Sequence, residues 1–216
     1  MALGFVLASA ACSTSTSASI EAARSLFSPP AADTAVLNPA YRYLRVTAGK
    51  NVALLVLGYT DATPGPGTEV WYSASKEAVR LWQGRIAGTG GLKTDWHSVR
   101  FDGAPSWRSA LAGGARYRRL RDVMPGYATD VREEVWVSPI APPASSSLKN
   151  LAPESLQWFE ERTVPQGLAS GLPAARFAVD LSSQQERVVY SEQCLSPDFC
   201  ITTQIWPATP TRLTAS

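Results

Sequence analysis

Between Glu69 and Trp96 the chain reads EVWYSASKEAVRLWQGRIAGTGGLKTDW, and this stretch narrows the fold more than any other. It holds three tryptophans, one tyrosine and four glycines in 28 residues. Val70 and Tyr72 alternate with Trp71 and Ser73, the period of two of a half-buried strand. Ser75-Lys76-Glu77 is a polar turn, after which Val79 and Leu81 face one way and Arg80 and Trp82 the other. Gly84 ends that run and Ile86 resumes it. Gly88-Thr89-Gly90-Gly91 is expected to close it as a turn, because glycine tolerates positive φ. The pattern is an antiparallel meander with almost no reactive side chains.

The rest of the chain repeats the theme. Tyr41, Tyr43 and the apolar run Val52 to Leu57 straddle a Gly49-Lys50-Asn51 turn and predict a hairpin whose second strand is buried on both faces. Tyr117 to Val123 and Thr129 to Val137 read as strands, as do Phe177 to Leu181, Val188 to Tyr190 and Ile201 to Trp206. Ser19 to Phe27 predicts a short N-terminal helix with Ser19 as its N-cap, stopped by Pro29-Pro30. Phe101 to Ala115 reads as a Gly-rich loop, Pro139 to Ser147 as a linker or long loop, and Leu156 to Glu161 as a single helical turn. No repeat of 20 to 50 residues is present, against a propeller or solenoid. The expectation is one mainly β domain over residues 20–216, an antiparallel β-sandwich or a partly open β-barrel with a short N-terminal helix.

Charged residues are 18% of the 216, and the formal net charge of +2 is too small to indicate a nucleic-acid partner. Ala2 to Ala11 is a short apolar run that ends at Cys12. This reads as a signal peptide over residues 1–11, with Ser9-Ala10-Ala11-Cys12 similar to a lipobox and Cys12 the lipidated residue. Ser9 replaces the usual leucine, and no Lys or Arg precedes the run, so an upstream start is expected. The alternative is an unlipidated signal with Cys12 a bystander. Residues 12–19 make a Ser/Thr/Ala tether. Ser13, rather than aspartate, after the cysteine points to the periplasmic side of the outer membrane, with several acyl chains holding the anchor in the leaflet. Cys194 and Cys200 remain as an even pair around the turn Ser196-Pro197-Asp198, which reads as a disulfide in an oxidising compartment.

Three blocks carry a resemblance to a known family. They are Leu37-Asn38-Pro39-Ala40-Tyr41-Arg42-Tyr43-Leu44-Arg45-Val46 with Leu54 to Tyr59; Trp71-Tyr72-Ser73 through Val79-Arg80-Leu81 to Gly84-Arg85-Ile86; and Thr89-Gly90-Gly91-Leu92 with Asp95-Trp96. In this order they resemble the YjbF/GfcB lipoproteins of group 4 capsule and exopolysaccharide production. The resemblance lies within Leu37 to Trp96, little more than a quarter of the chain. It implies an accessory part in polysaccharide production and export, with partner proteins of a secretion system, an outer-membrane β-barrel being one candidate. The leading expectation is a non-enzymatic adapter; the alternatives are a periplasmic saccharide-binding module, which would contact the polysaccharide itself, and a polysaccharide-processing enzyme.

Motifs for catalysis are sparse. His97, the single histidine, shares a strand face with Asp95 but not with Ser98, so the three do not form a triad, and no Gly-x-Ser-x-Gly elbow is present. Glu133-Glu134 and Glu160-Glu161 are adjacent pairs that point to opposite faces, unlike the facing carboxylates of a glycosidase; a distant pair such as Glu69 with Asp95 stays open. Neither a metal site nor a cofactor is expected. Two features suit a saccharide. Trp71, Tyr72, Trp82 and Trp96 offer aromatic faces, with core packing as the alternative. Arg119 and Arg121 share one strand face and could clamp a sugar carboxylate, with a solvated strand edge as the alternative.

Overall fold

The structure is a computed structural model that describes residues 29–165 and 171–208. The signal segment, Cys12, the tether and the helix expected over Ser19 to Phe27 lie outside the described residues. After a short helix α1 (Pro29–Thr34) come β1 (Tyr43–Ala48), β2 (Asn51–Asp61), β3 (Thr68–Tyr72), β4 (Ala78–Trp82), β5 (Arg85–Gly90) and β6 (Asp95–Asp102). Helix α2 (Trp107–Leu111) leads to β7 (Ala115–Met124), β8 (Ala128–Ile140), β9 (Gln157–Pro165), β10 (Ala175–Asp180), β11 (Arg187–Ser196) and β12 (Phe199–Trp206).

Except for β5 and β6, each strand pairs antiparallel with its sequence neighbour, and β12 comes round to pair with β1, Tyr43 opposite Trp206 and Ala48 opposite Ile201. The sheet order β5-β4-β3-β2-β1-β12-β11-β10-β9-β8-β7-β6 therefore follows the chain round a nearly closed barrel whose two edges, β5 and β6, are consecutive strands. Of the two architectures the sequence allowed, the barrel is the one formed.

The seam between β5 and β6 is held by side chains. At its hairpin end the Thr89 hydroxyl donates to Asp95 (2.9 Å) and accepts from the Trp96 amide (3.0 Å). Asp95 also accepts the amides of Gly91 and Leu92 at 3.0 and 3.2 Å. Further along, Gln193 of β11 reaches across the barrel: its Oε1 accepts from the Ile86 amide (3.0 Å) and its Nε2 donates to the Gly84 carbonyl (2.9 Å). An edge strand presents unpaired amides and carbonyls, and one buried glutamine satisfies two of them here.

Apolar residues pack on both faces of the sheet. Inside, Leu44, Leu55, Trp71, Leu81, Ile86, Trp96 and Leu195 form one cluster, and Trp107, Tyr117, Val135, Phe159 and Phe177 another. Helix α2 closes the second: Trp107 lies against Phe177 and Phe159, with ring centroids 4.7 and 5.1 Å away. Outside, α1 covers Tyr43, Leu54 and Trp206 and is fastened by Asp33 to Arg45 (2.7 Å). The segment after β8 lays Leu148 and Leu151 over Trp158 and Tyr190.

Pro29-Pro30 opens α1, because proline lacks only an N–H that the first helical turn leaves unbonded; the helix it was expected to stop lies outside the described residues. Three local expectations are corrected. Gly88, Thr89 and Gly90 belong to β5, opposite Arg80, Val79 and Ala78. The turn follows them at Gly91, whose φ is +84°. Helical structure near Leu156 is a 3-10 turn at Pro153–Ser155. Strand β9 begins straight after it, with Trp158 packed outside and Phe159 inside as a period of two requires. The Phe101 to Ala115 segment contains α2, whose first amides are bound by Ser106 and by the Glu186 carboxylate. Cys194 and Cys200 are cross-strand partners on β11 and β12 and are disulfide-bonded.

Replacing Gln193 by leucine strands the Ile86 amide and the Gly84 carbonyl at the seam. At about 1–3 kcal/mol for each buried group left unsatisfied, Gln193→Leu is expected to destabilise the domain by roughly 2–6 kcal/mol in urea unfolding. An unchanged midpoint would show that the seam does not depend on this side chain.

Candidate functional site

The chemistry-bearing side chains divide between the barrel interior and its outer face. Inside, strand alternation turns Tyr117, Arg119 and Arg121 of β7 and Glu133 of β8 inward. Glu133 accepts from Arg119 Nε on one oxygen (2.8 Å) and from Arg121 Nη2 on the other (2.9 Å). Both guanidiniums lie over the Trp96 ring, 4.8 and 5.0 Å from its centroid. Arg119 Nη2 is also 2.7 Å from Glu133, but too poorly aligned for a hydrogen bond.

A second centre joins Arg85 of β5 to Glu161 of β9 (Nε to Oε1, 2.8 Å), with Tyr117 donating to the other Glu161 oxygen at 2.9 Å. Arg85 is 1% exposed and lies 3.9 Å from the Trp107 ring centroid. Burial and then the Glu161 charge push the Tyr117 hydroxyl well above its ordinary value. Burial pushes the Glu133 carboxyl up, but Arg119 and Arg121 outweigh it and hold Glu133 below its ordinary 4.5.

The residues singled out for a saccharide are thus not brought together on a surface. Trp71 and Trp96 are 0% and 1% exposed, because a period of two sends them inward. Arg119 and Arg121 are inside with them, both paired to Glu133 rather than open to a sugar carboxylate. Trp82 is half-buried and stacks on Phe101, centroids 5.1 Å apart. Tyr72 alone of the six is exposed, beside Tyr59, with its ring close over Gly58, where a Cβ would come within 2.7 Å of it.

Asp95 is engaged at the seam, His97 is exposed, and Ser98 donates to Asp122 (2.6 Å), so these three make no relay. Glu134 and Glu160 face outward to Arg116 and Arg162, while Glu133 and Glu161 face inward. The interior charges of Arg85, Glu133 and Glu161 went unrecognised in the sequence. Arg119 and Arg121 at a two-residue spacing were the available signal that one face of β7 is cationic.

Outside, a groove of about 630 Å³ runs beside the disulfide, with Thr47, Thr202 and Ser146 offering hydroxyls and Arg176 3.6 Å from Glu192.

Glu133→Gln leaves two buried guanidiniums without a counter-ion and is expected to cost roughly 3–5 kcal/mol, read by denaturant unfolding at pH 7. Because its folded pKa is depressed, Glu133 contributes stability that is present above 4.5 and lost as the pH falls below that value through the folded one. The variant should flatten the acid limb of a stability–pH curve; an unaltered limb would refute the assignment.

The chain matches the family described as group 4 capsule polysaccharide lipoprotein gfcB, YjbF over residues 28–205. It also matches the crystal structure of the hypothetical lipoprotein YmcC from Escherichia coli (K12), with a TM-score of 0.62 and 20% identity over 82% of this chain and 92% of that one, which shows a shared fold. No curated protein matches. With the family match running from before β1 into β12, the chain belongs to the YjbF family of group 4 capsule polysaccharide lipoproteins.

Proposed function

We propose that the protein is a non-enzymatic lipoprotein of capsule or exopolysaccharide production, anchored through Cys12 to the periplasmic side of the outer membrane. There it acts as an adapter, presenting its barrel to protein partners of the polysaccharide secretion system. The observation that carries this reading is family membership, since the family is one of lipoproteins tied to capsule polysaccharide. The match starts at residue 28, just beyond the lipobox-like Cys12 and its tether. Two further features support an adapter. The inward carboxylates Glu133 and Glu161 are each committed to arginine, an arrangement that holds a barrel together rather than one that shuttles protons. The surface carries exposed apolar side chains, Tyr41 and Tyr127 in loops and Val164 on β9, suited to contact with another protein.

In a deletion strain, polymer is expected to be synthesised but retained, with the cell-associated amount raised and the secreted amount lowered. Unaltered amount, location and chain length would overturn the pathway role, and altered chain length alone would point to an enzyme. Cys12→Ala is expected to move the protein from the membrane to the soluble fraction and to reproduce the deletion. Continued recovery with membranes would refute the anchor.

A further inference from the structure

The outer face of β7, β8 and β9 combines an exposed indole with accessible guanidiniums. Trp136 of β8 is 47% exposed, a large apolar surface to leave in water. Its cross-strand neighbours are both arginines, Arg116 on β7 and Arg162 on β9. The Arg116 guanidinium sits 5.0 Å from the indole centroid and fixes the ring by a cation–π contact. Two and four residues along the same face of β8 lie Glu134 and Arg132, and Arg118 stands opposite Glu134. Arg118 and Arg132 line a cavity of about 200 Å³.

Arginines 116, 118, 132 and 162 face three carboxylates, Asp102, Glu134 and Glu160, and Arg132 makes no ion pair among the described residues. The pairs that do form are open to solvent: the side chains of Arg116, Arg118 and Arg162 are 62%, 72% and 76% exposed. Exposed pairs of this kind contribute little, so these guanidiniums can exchange an internal partner for a ligand. The interior arginines, by contrast, are locked to Glu133 and Glu161.

We propose that this strip binds an anionic glycan. Trp136 takes the C–H face of one sugar ring, and Arg116, Arg162 and Arg132 take the carboxylates of that and neighbouring residues. Guanidinium forks match carboxylates in shape as well as charge. From Trp136 to Arg132 is about 14 Å along the strand at about 3.4 Å per residue, room for two or three sugar units. The proposal goes beyond the adapter role, which requires no direct contact with glycan.

The test is affinity electrophoresis of the purified full chain through gels containing polygalacturonate or neutral dextran. Retardation by polygalacturonate but not by dextran is expected. Trp136→Ala and the pair Arg116→Gln/Arg162→Gln should each weaken it at least tenfold, and Trp136→Phe should retain most of it. These side chains lie outside the core, and melting curves matching the parent will show that each variant is folded. Lys93→Gln, which removes an exposed cation at the turn between β5 and β6, should leave binding unchanged. No retardation by polygalacturonate, parental binding by Trp136→Ala, or an equal loss in Lys93→Gln would each overturn the proposal, the last by showing attraction to bulk charge alone. Because the assay uses purified protein, its failure leaves the export phenotype of a deletion strain standing on its own.

Discussion

A twelve-strand barrel has a wider interior than aliphatic side chains alone can fill, since about eight strands already give a lumen that side chains just occupy. Long side chains must span the gap, and here they are indoles and arginines. Trp71, Trp96 and Trp107 supply apolar bulk, while Arg85, Arg119 and Arg121 extend across the remaining space. A charge taken out of water needs a counter-ion and full hydrogen bonding. Glu133 and Glu161 supply the first, and Tyr117 and the indole faces help with the rest. Among the described residues Arg119 Nη2, Arg121 Nε and Trp71 Nε1 have no hydrogen-bond partner, so the packing of polar groups inside is not complete.

The same requirement shapes the rest of the molecule. Arg85 enters from β5, the strand at the open seam, and is held by Glu161 from β9, so that ion pair ties one sheet edge to the far side of the barrel. Gln193 does the equivalent work for the β5 backbone. Two coverings, α1 and the segment after β8, are needed because Trp206, Trp158 and Tyr190 fall on the outward face of their strands. With the inner arginines and glutamates used up in structure, the aromatic and cationic side chains open to solvent are on the outer face, Tyr72, Trp136 and the exposed arginines among them.

Much of the fold was legible because it is local. The hairpin at Gly49-Lys50, the β3–β4–β5 meander and the strands at Tyr117, Thr129, Phe177, Val188 and Ile201 all announce themselves by alternation bounded by turn residues. The errors were local conflicts settled by longer-range contacts. Gly88 and Gly90 read as turn formers, yet they complete a strand. Pairing with β4 decides it, Gly88 lying opposite Arg80 and Gly90 opposite Ala78. Pro29-Pro30 also starts a helix, which has the outer face of β1 and β2 to cover.

The candidate site was legible only in its ingredients. From sequence alone come a mainly β, antiparallel chain, most of its strands though not β6 or β9, the period of two that separates Glu133 from Glu134, and the blocks that mark the family. It could say that Arg119 and Arg121 share a face, because that depends on two residues of one strand. Whether that face is inner or outer depends on how the barrel closes, and closure pairs β1 with β12 across most of the chain. The partner of Arg85 is 76 residues away in sequence, and no local rule selects it. Tertiary structure therefore decided which charges became core and which stayed on the surface, because burial is a property of the closed barrel and not of any one strand.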